Sequence, residues 1–320
     1  MKHIFIINPH AGKKDQTARI YEMADRLRED HALDCACMLT TRPGGAMDMA
    51  RELAESGEEV RLYACGGDGT VHEVANGIAG FSNAAMTVIP TGTGNDFLKN
   101  FGPDMEKFSD AENLWDGDVM PLDLIDCGGR LCLTIACNGI DARVAESVHR
   151  YSKTPALSGK GSYIASIAAN FLLSTISRRW TVTIDGGEPI TDDFALVSLC
   201  NGRYYGGGFF PVPEARMDDG VLHAVVIRKV TRLEFIRLIG GYSKGKHAQL
   251  PPHLIQVFPA KVIRITADED IVTCLDGECF RSRDITMRLS DKRVNFFGPK
   301  GCSPNATASG KAEASFTISS

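Results

Sequence analysis

The chain has 320 residues, 43% of them hydrophobic and 23% charged, with a formal net charge of −5. That length is long for one core and implies two domains, and the composition is that of an ordinary globular protein. The negative balance argues against nucleic acid as a partner, which needs a broad basic surface.

The first 100 residues alternate strand and helix. HIFII (3–7) reads as a buried strand, and NPHAG as the turn after it. Asp15 can cap the helix that follows, in which Ile20, Met23, Ala24 and Leu27 recur at helical spacing. LDCACML (33–39) is a second strand, and 46–56 a helix stopped by Gly57. EVRLYAC (59–65) is a third strand, followed by GGDGT and a helix with Val71, Val74 and Ile78 on one face. AMTVI (85–89) is a fourth, leading into PTGTGND. Repeated βα units imply an α/β, doubly wound parallel sheet, whose ligands sit beyond the carboxyl ends of the strands. NPHAG, GGDGT and PTGTGND all fall at those ends.

From about residue 121 the texture changes to short strands with glycine turns. PLDLIDCGGRLCLTIAC reads as a hairpin through Gly128–Gly129, and WTVTIDGGEPI as another through Gly186–Gly187. Further runs lie at 194–200, 221–227, 254–258, 260–267, 271–275 and 285–297. Helices are expected near 161–177 and 231–243, the second opened by a capping box of Thr231 and Glu234. This half reads as antiparallel and β-rich. The last stretch, 301–320, is small and polar and reads as a disordered tail.

The apolar run in MKHIFIINPHAG is too short for a signal-peptide core, and no stretch approaches the roughly 20 apolar residues that span a bilayer. The ten cysteines are scattered through apolar runs, without a CxxC pair or a zinc-like spacing with histidine. They read as reduced, buried thiols of a cytoplasmic protein.

GGDGT alone is a weak signal. PTGTGND after the next strand strengthens it, because two such loops can hold a polyphosphate between backbone N–H groups and the hydroxyls of Thr70, Thr91 and Thr93. Asp68 is awkward beside phosphates unless a cation lies between them, and Mg²⁺ is the usual one. The competing reading is that Asp68 merely fixes its own turn. LDGE (275–278) brings Asp276 and Glu278 two residues apart, where carboxylates at a strand end can converge on a substrate hydroxyl. A surface Asp-Gly hairpin competes with that reading. ARMDDGVL (215–222) places Asp218 and Asp219 in a tight turn, which is also an ordinary Asp-Gly turn.

The ordered series NPHAG, GGDGTVHEVANGI, PTGTGNDF, PEARMDDGVL and LDGE, spread over residues 3 to 297, resembles the diacylglycerol-kinase-type lipid kinases of bacteria. That family includes phospholipid, sphingosine and ceramide kinases, and it shares its nucleotide-binding architecture with NAD kinases and phosphofructokinases. The resemblance implies an ATP-binding α/β domain over 1–122, joined by a strand returning from about 290–300. It implies a β-sandwich domain over 123–289 that carries the lipid site and the catalytic acid. It implies ATP binding by Asn8, Pro9, His10, Ala11, Gly12, Thr40, Gly66, Gly67, Asp68, Gly69, Thr70, Val71, His72 and Thr93. Relatives often carry an acid before the alanine of TRPGGA, where this sequence has Gly45. With no basic residue read in the loops, phosphate neutralisation falls on Mg²⁺ and backbone donors. Glu278 is implied as general base, with Asp276 as its orienter or as an alternative base. A second Mg²⁺, away from ATP, is implied at the carbonyl of Arg216, the carboxylate of Asp219 and the carbonyl of Val221.

The expected reaction is transfer of the γ-phosphoryl group of ATP to a lipid hydroxyl, diacylglycerol giving phosphatidic acid. The partner is then a membrane lipid met at the inner surface of the bilayer by a peripheral, cytoplasmic enzyme. A soluble-substrate kinase of the NAD-kinase kind, and a non-catalytic nucleotide- or lipid-binding regulator, are the alternatives. A homodimer stays open, since no motif encodes oligomeric state. GSYIASIAANFLLSTI (161–176) carries an apolar stripe that reads as core or as acyl-chain contact. VIRKVTRLEFIRLIGGYSKGKH (226–247) has six basic residues against one acid, a solvated face or one drawn to anionic lipid. NGRYYGGGFFPVPEA (201–215) combines glycines with four aromatics, and either lines a lipid entrance or covers the sheet.

Overall fold

The computed structural model describes residues 1–92, 94–152 and 175–305. The first sheet contains β1 (Lys2–Ile7), β2 (Asp34–Leu39), β3 (Val60–Gly66), β4 (Ala84–Pro90), β5 (Asp118–Leu122) and β15 (Val294–Gly298). Their order is β2-β1-β3-β4-β15-β5, parallel except for the β15–β5 pair. Helices α1 (Thr17–His31), α2 (Gly45–Glu55) and α3 (Asp68–Ile78) cross over between the strands. β1 has β2 on one side and β3 on the other, so the chain reverses direction there. Such switch points leave a crevice at the carboxyl ends of the strands, here between NPHAG and GGDGT.

Apolar periodicity pins these elements as the sequence implies. Ile20, Met23, Ala24 and Leu27 are the buried face of α1, and Val71, Val74 and Ile78 lie on that of α3. Burying each large aliphatic side chain is worth about 1.5–3 kcal/mol, enough to fix the body of α3 and leave its N-terminus facing outward. Asp15 accepts the Thr17 N–H at 2.8 Å, although the residue at the cap position itself is Gln16.

The second sheet is antiparallel and contains β6 (Ile125–Cys127), β7 (Arg130–Cys132), β8 (Ile135–Gly139), β9 (Arg178–Ile184), β10 (Ile190–Cys200), β11 (Leu222–Arg228), β12 (Ile255–Ala260), β13 (Val262–Leu275) and β14 (Glu278–Leu289). β9 pairs with both β10 and β13, and β8 also pairs with both, so the strands fold over on themselves. Trp180, Phe194, Ile263 and Met287 fill the space between. On the outer face, α4 (Ile140–Ser152) and α5 (Arg232–Tyr242) cover a second apolar cluster. The expected α/β domain followed by a β-rich one is the architecture present. All ten cysteines carry free thiols, most of them buried.

Several local readings are corrected. The runs at 260–267 and 271–275 are one strand, interrupted by a register shift between Thr266 and Ile271. The run at 285–297 is two strands in different sheets, because SDKR at 290–293 turns the chain back toward β4. RLCLTIAC is likewise split between β7 and β8, and α4 follows β8 without having been anticipated. Residues 301–305 are not a free tail: Arg203 donates to the Pro304 carbonyl, and the Asn305 side chain donates to Asp218 at 2.8 Å and accepts the Met217 N–H at 3.2 Å. The helix expected near 161–177 falls almost wholly outside the described residues, as do Thr93 and 306–320.

Candidate active site

Three loops meet at the carboxyl ends of β1, β3 and β4. A Cβ on Gly92 would stand 2.5 Å from the Gly67 Cα, and one on Gly12 would stand 2.1 Å from the Thr91 carbonyl oxygen. Only glycine permits backbones this close. Asn8 donates to the Thr70 hydroxyl at 3.2 Å, tying NPHAG to the first turn of α3, while the Thr91 and Gly92 N–H groups both bond to the Gly66 carbonyl. Gly67, at the N-cap of α3, offers no side-chain cap. The first backbone N–H groups of α3 therefore converge beside the other two loops, an arrangement suited to an anion. Pro9, His10, Ala11, Gly12, Gly69 and Val71 belong to the same cluster of loop and first turn. Thr40 is buried at the end of β2, its N–H bonded to the Ile7 carbonyl. A Cβ on Gly45 would lie 3.9 Å from the Thr40 Cβ, so these two positions are neighbours.

Asp68 is the first residue of α3. Its Oδ1 accepts the Asp96 N–H at 3.0 Å. Burial, with the charges of Asp96 and Asp276 added, pushes its carboxyl up to about 6. Asp96 itself accepts from Lys99 and, at 2.6 Å, from the Gly207 N–H. Sequence reasoning missed Asp96 and Lys99, although Asp96 ends the quoted PTGTGND and Lys99 follows at helical spacing.

The other wall comes from the second sheet. Asp276 has φ +49° and Gly277 φ +105°, the paired left-handed residues of a two-residue hairpin joining β13 to β14. The Asp276 side chain is 7% exposed and accepts N–H groups of Leu133 at 2.6 Å and Thr134 at 2.9 Å, plus the Thr134 hydroxyl. Its Oδ2 lies 3.3 Å from His72 Nδ1 on α3. Burial alone would raise this carboxyl, but the His72 and Thr134 contacts and the Leu133 N–H outweigh it and hold it at about 2. One turn along α3, the Asn76 side chain pairs with the Leu131 backbone at 2.9 and 3.0 Å. His72 and Asn76 thus share the helix face that grips the second sheet. Thr134 and Asn76 carried no signal in the sequence beyond their type.

Glu278 differs from Asp276 in each of these respects. It is exposed, and its carboxylate makes no hydrogen bond to the described residues. A methyl group in place of the Gly69 hydrogen would stand 3.7 Å from Glu278 Oε1, so this carboxylate faces the N-terminus of α3. The arrangement sets an unengaged acceptor opposite a helix N-terminus, with a fully bonded acid behind it.

Farther off, Asp219 accepts the Val221 N–H at 3.0 Å, and the Arg216 Nε lies 4.0 Å from its carboxylate. Burial raises the Asp219 carboxyl. Among the described residues no group of three or more His, Cys, Asp or Glu side chains converges to hold a metal ion. No described helix is long and apolar enough to cross a membrane.

Residues 2–127 match the model of the diacylglycerol kinase catalytic domain, and residues 134–297 that of the YegS C-terminal NAD kinase beta sandwich-like domain. A diacylglycerol kinase of Bacillus subtilis is 29% identical over 85% of this chain and 88% of its own. A probable lipid kinase YegS-like of Chromohalobacter salexigens is 30% identical over 84% of this chain and 85% of its own. The crystal structure of a diacylglycerol kinase from Bacillus anthracis superimposes with a TM-score of 0.65 over 93% of this chain and 96% of that one. At 22% identity that last likeness is one of fold alone. The chain belongs to the diacylglycerol kinase and YegS-like lipid kinase family. Membership supports a phosphotransferase and implies the use of ATP.

Proposed function

We propose that this protein transfers the γ-phosphoryl group of ATP to a lipid hydroxyl, with diacylglycerol as acceptor and phosphatidic acid as product. The observation that carries the reading is the unengaged Glu278 carboxylate facing the N-terminus of α3. In-line transfer needs the phosphates fixed, their charge neutralised and the acceptor proton taken. The N–H groups opening α3, with the loops at Asn8–Gly12 and Thr91–Gly92, hold the phosphates. Glu278 takes the proton from the lipid hydroxyl as the bond to phosphorus forms, when that hydroxyl has become acidic enough for a carboxylate. Asp276, with its acceptor sites filled by Leu133, Thr134 and His72, holds the hairpin in place and orients Glu278.

One carboxylate at this junction, that of Asp68, would serve a divalent cation whose other ligands are phosphate oxygens and water. Burial first, and then the charges of Asp96 and Asp276, push the Asp68 carboxyl up to about 6, so a cation beside it would relieve an ionised and largely enclosed acid. Asp68 is the residue that would hold Mg²⁺, which neutralises polyphosphate charge when bound. A second Mg²⁺ would rest on Asp219, whose carboxyl is raised by burial, with carbonyls of Arg216 and Val221.

The test is incubation with labelled ATP and a panel of lipids in mixed micelles, with and without Mg²⁺. Diacylglycerol should be labelled, with Mg²⁺ required. If no lipid is labelled above a Glu278→Gln control, or if NAD takes the label instead, the reading fails.

A further inference from the structure

We propose that the outer face of α5 is the surface on which this protein docks to an anionic lipid bilayer. The need for docking follows from the lipid-kinase reading, while the surface stands on its own chemistry. Leu233 is 57% and Ile236 55% exposed, three residues apart on one helix. The other large exposed apolar residues of the described chain are scattered singly, as on any protein surface. The opposite stripe of α5, Phe235, Leu238 and Tyr242, is buried, so the two aliphatics are surplus to the fold. Two exposed aliphatic side chains one turn apart on a helix form the start of an apolar patch rather than the single residues of an ordinary surface.

The charge around them selects the partner. Of the six basic residues between 226 and 247, Arg228 and Lys229 are taken by Asp192 at 3.1 Å and Asp193 at 2.9 Å. Lys244 and Lys246 form no ion pair with the described residues, while Arg237 and His253 share the single charge of Glu234. The one acid of the segment, Glu234, is turned back into its own cap, accepting the Thr231 N–H at 2.8 Å. Beside the helix runs an open groove of about 280 Å³, lined by Arg237, His253, Leu250 and Leu254, with Glu234 the acid on its wall. Two exposed aliphatic side chains on a helix segment whose basic residues outnumber its acid six to one, on a chain of net charge −5, complement an anionic bilayer.

The face is also joined to the candidate site. The Tyr242 hydroxyl lies 2.9 Å from that of Tyr205, and the Phe210 N–H bonds to the Ser243 carbonyl at 3.1 Å. The same loop donates the Gly207 N–H to Asp96. One short segment, 205–210, therefore spans from α5 to the acids near α3. A bilayer seated on α5 lies one loop away from the phosphoryl-transfer corner.

Sedimentation with vesicles of phosphatidylcholine, with or without phosphatidylglycerol and without nucleotide, tests this directly. The protein should partition onto phosphatidylglycerol vesicles and be released by salt. Arg237→Ala with Lys244→Ala should weaken partitioning about 25-fold at low salt, since each basic residue near the surface contributes about a fivefold gain. Leu233→Ser with Ile236→Ser should weaken it about tenfold. Unfolding midpoints, and turnover of a water-soluble short-chain diacylglycerol, should stay at the parent values in both double variants. A failure of docking is thereby separated from a failure of lipid phosphorylation. The proposal is overturned if the parent ignores phosphatidylglycerol vesicles or if both double variants sediment like it. It is equally overturned if Leu233→Ser with Ile236→Ser changes only the mass in solution, which would make the face a contact between two copies.

Discussion

Asp185–Gly186 and Asp276–Gly277 are one turn in two settings. φ is +50° and +49° at the aspartates, and +72° and +105° at the glycines. At the first, the exposed Asp185 carboxylate accepts the N–H groups of Lys261 and Val262, each at 2.8 Å, and does no more than close the sheet edge. At the second, the carboxylate is enclosed by Leu133 and Thr134 and meets His72 from the first domain. Each turn is followed by a glutamate, Glu188 or Glu278, and both are exposed. Only Glu278 faces the start of a helix. Turn chemistry therefore supplies a scaffold, and function depends on which element the fold brings opposite it.

Glutamate to glutamine at the two turns should separate them most sharply. Glu278→Gln should lower kcat for lipid phosphorylation by about 10²–10⁴-fold, the usual contribution of a general base, with little change in KM for ATP. Glu188→Gln should leave both constants unchanged. Steady-state kinetics decide, and equal effects at the two positions would erase the distinction.

The aspartates should differ next, in stability. Asp276→Asn removes a buried charge from five donors and should cost about 3–5 kcal/mol, whereas Asp185→Asn at the exposed turn should cost about 1 kcal/mol or less. Denaturant unfolding measures both. The sign with pH follows from the carboxyl being held at about 2, below its ordinary 3.8. Its contribution is present above 3.8 and is lost as pH falls toward 2. The parent should lose stability over that window, and Asp276→Asn should lose less.

The same pair of turns shows what the sequence could convey. IDGG at 184–187 and LDGE at 275–278 are nearly interchangeable as local signals, since each is an Asp-Gly pair after a strand. The α/β half was legible because each βα unit repeats one pattern, and Gly12 and Gly92 mark backbone approaches that no other residue allows. The second half was harder. Its strands are joined by register shifts and long-range pairing, so a bulge at Thr266–Ile271 looked like a gap, and α4 went unnoticed. The partners of Asp276 lie 142 residues away at Thr134 and 204 away at His72, beyond any spacing rule. The packing of Asn305 onto Asp218 was hidden for a similar reason: a polar residue in a polar stretch gives no sign of the partner it will meet.

Asp68 offers the smallest effect and the finest test, because its environment is the inverse of that at Asp276. Donors hold Asp276 down, while burial and the charges of Asp96 and Asp276 push Asp68 up to about 6. An acid whose folded value lies above its unfolded 3.8 destabilises the fold once ionised. That penalty grows as pH rises from 3.8 through about 6 and is constant above. Asp68→Asn should therefore stabilise the protein at pH 8, by at most about 3 kcal/mol and nearer 1–2 kcal/mol once the weakened Asp96 N–H bond is counted. At pH 4 the advantage should vanish, and Mg²⁺ with ATP should narrow it at pH 8 by stabilising the parent preferentially. Thermal unfolding at the two pH values, with and without Mg²⁺ and ATP, reads all of this. A variant less stable than the parent at pH 8 would return Asp68 to the role of a turn residue, and the Mg²⁺ proposed beside it would lose its support.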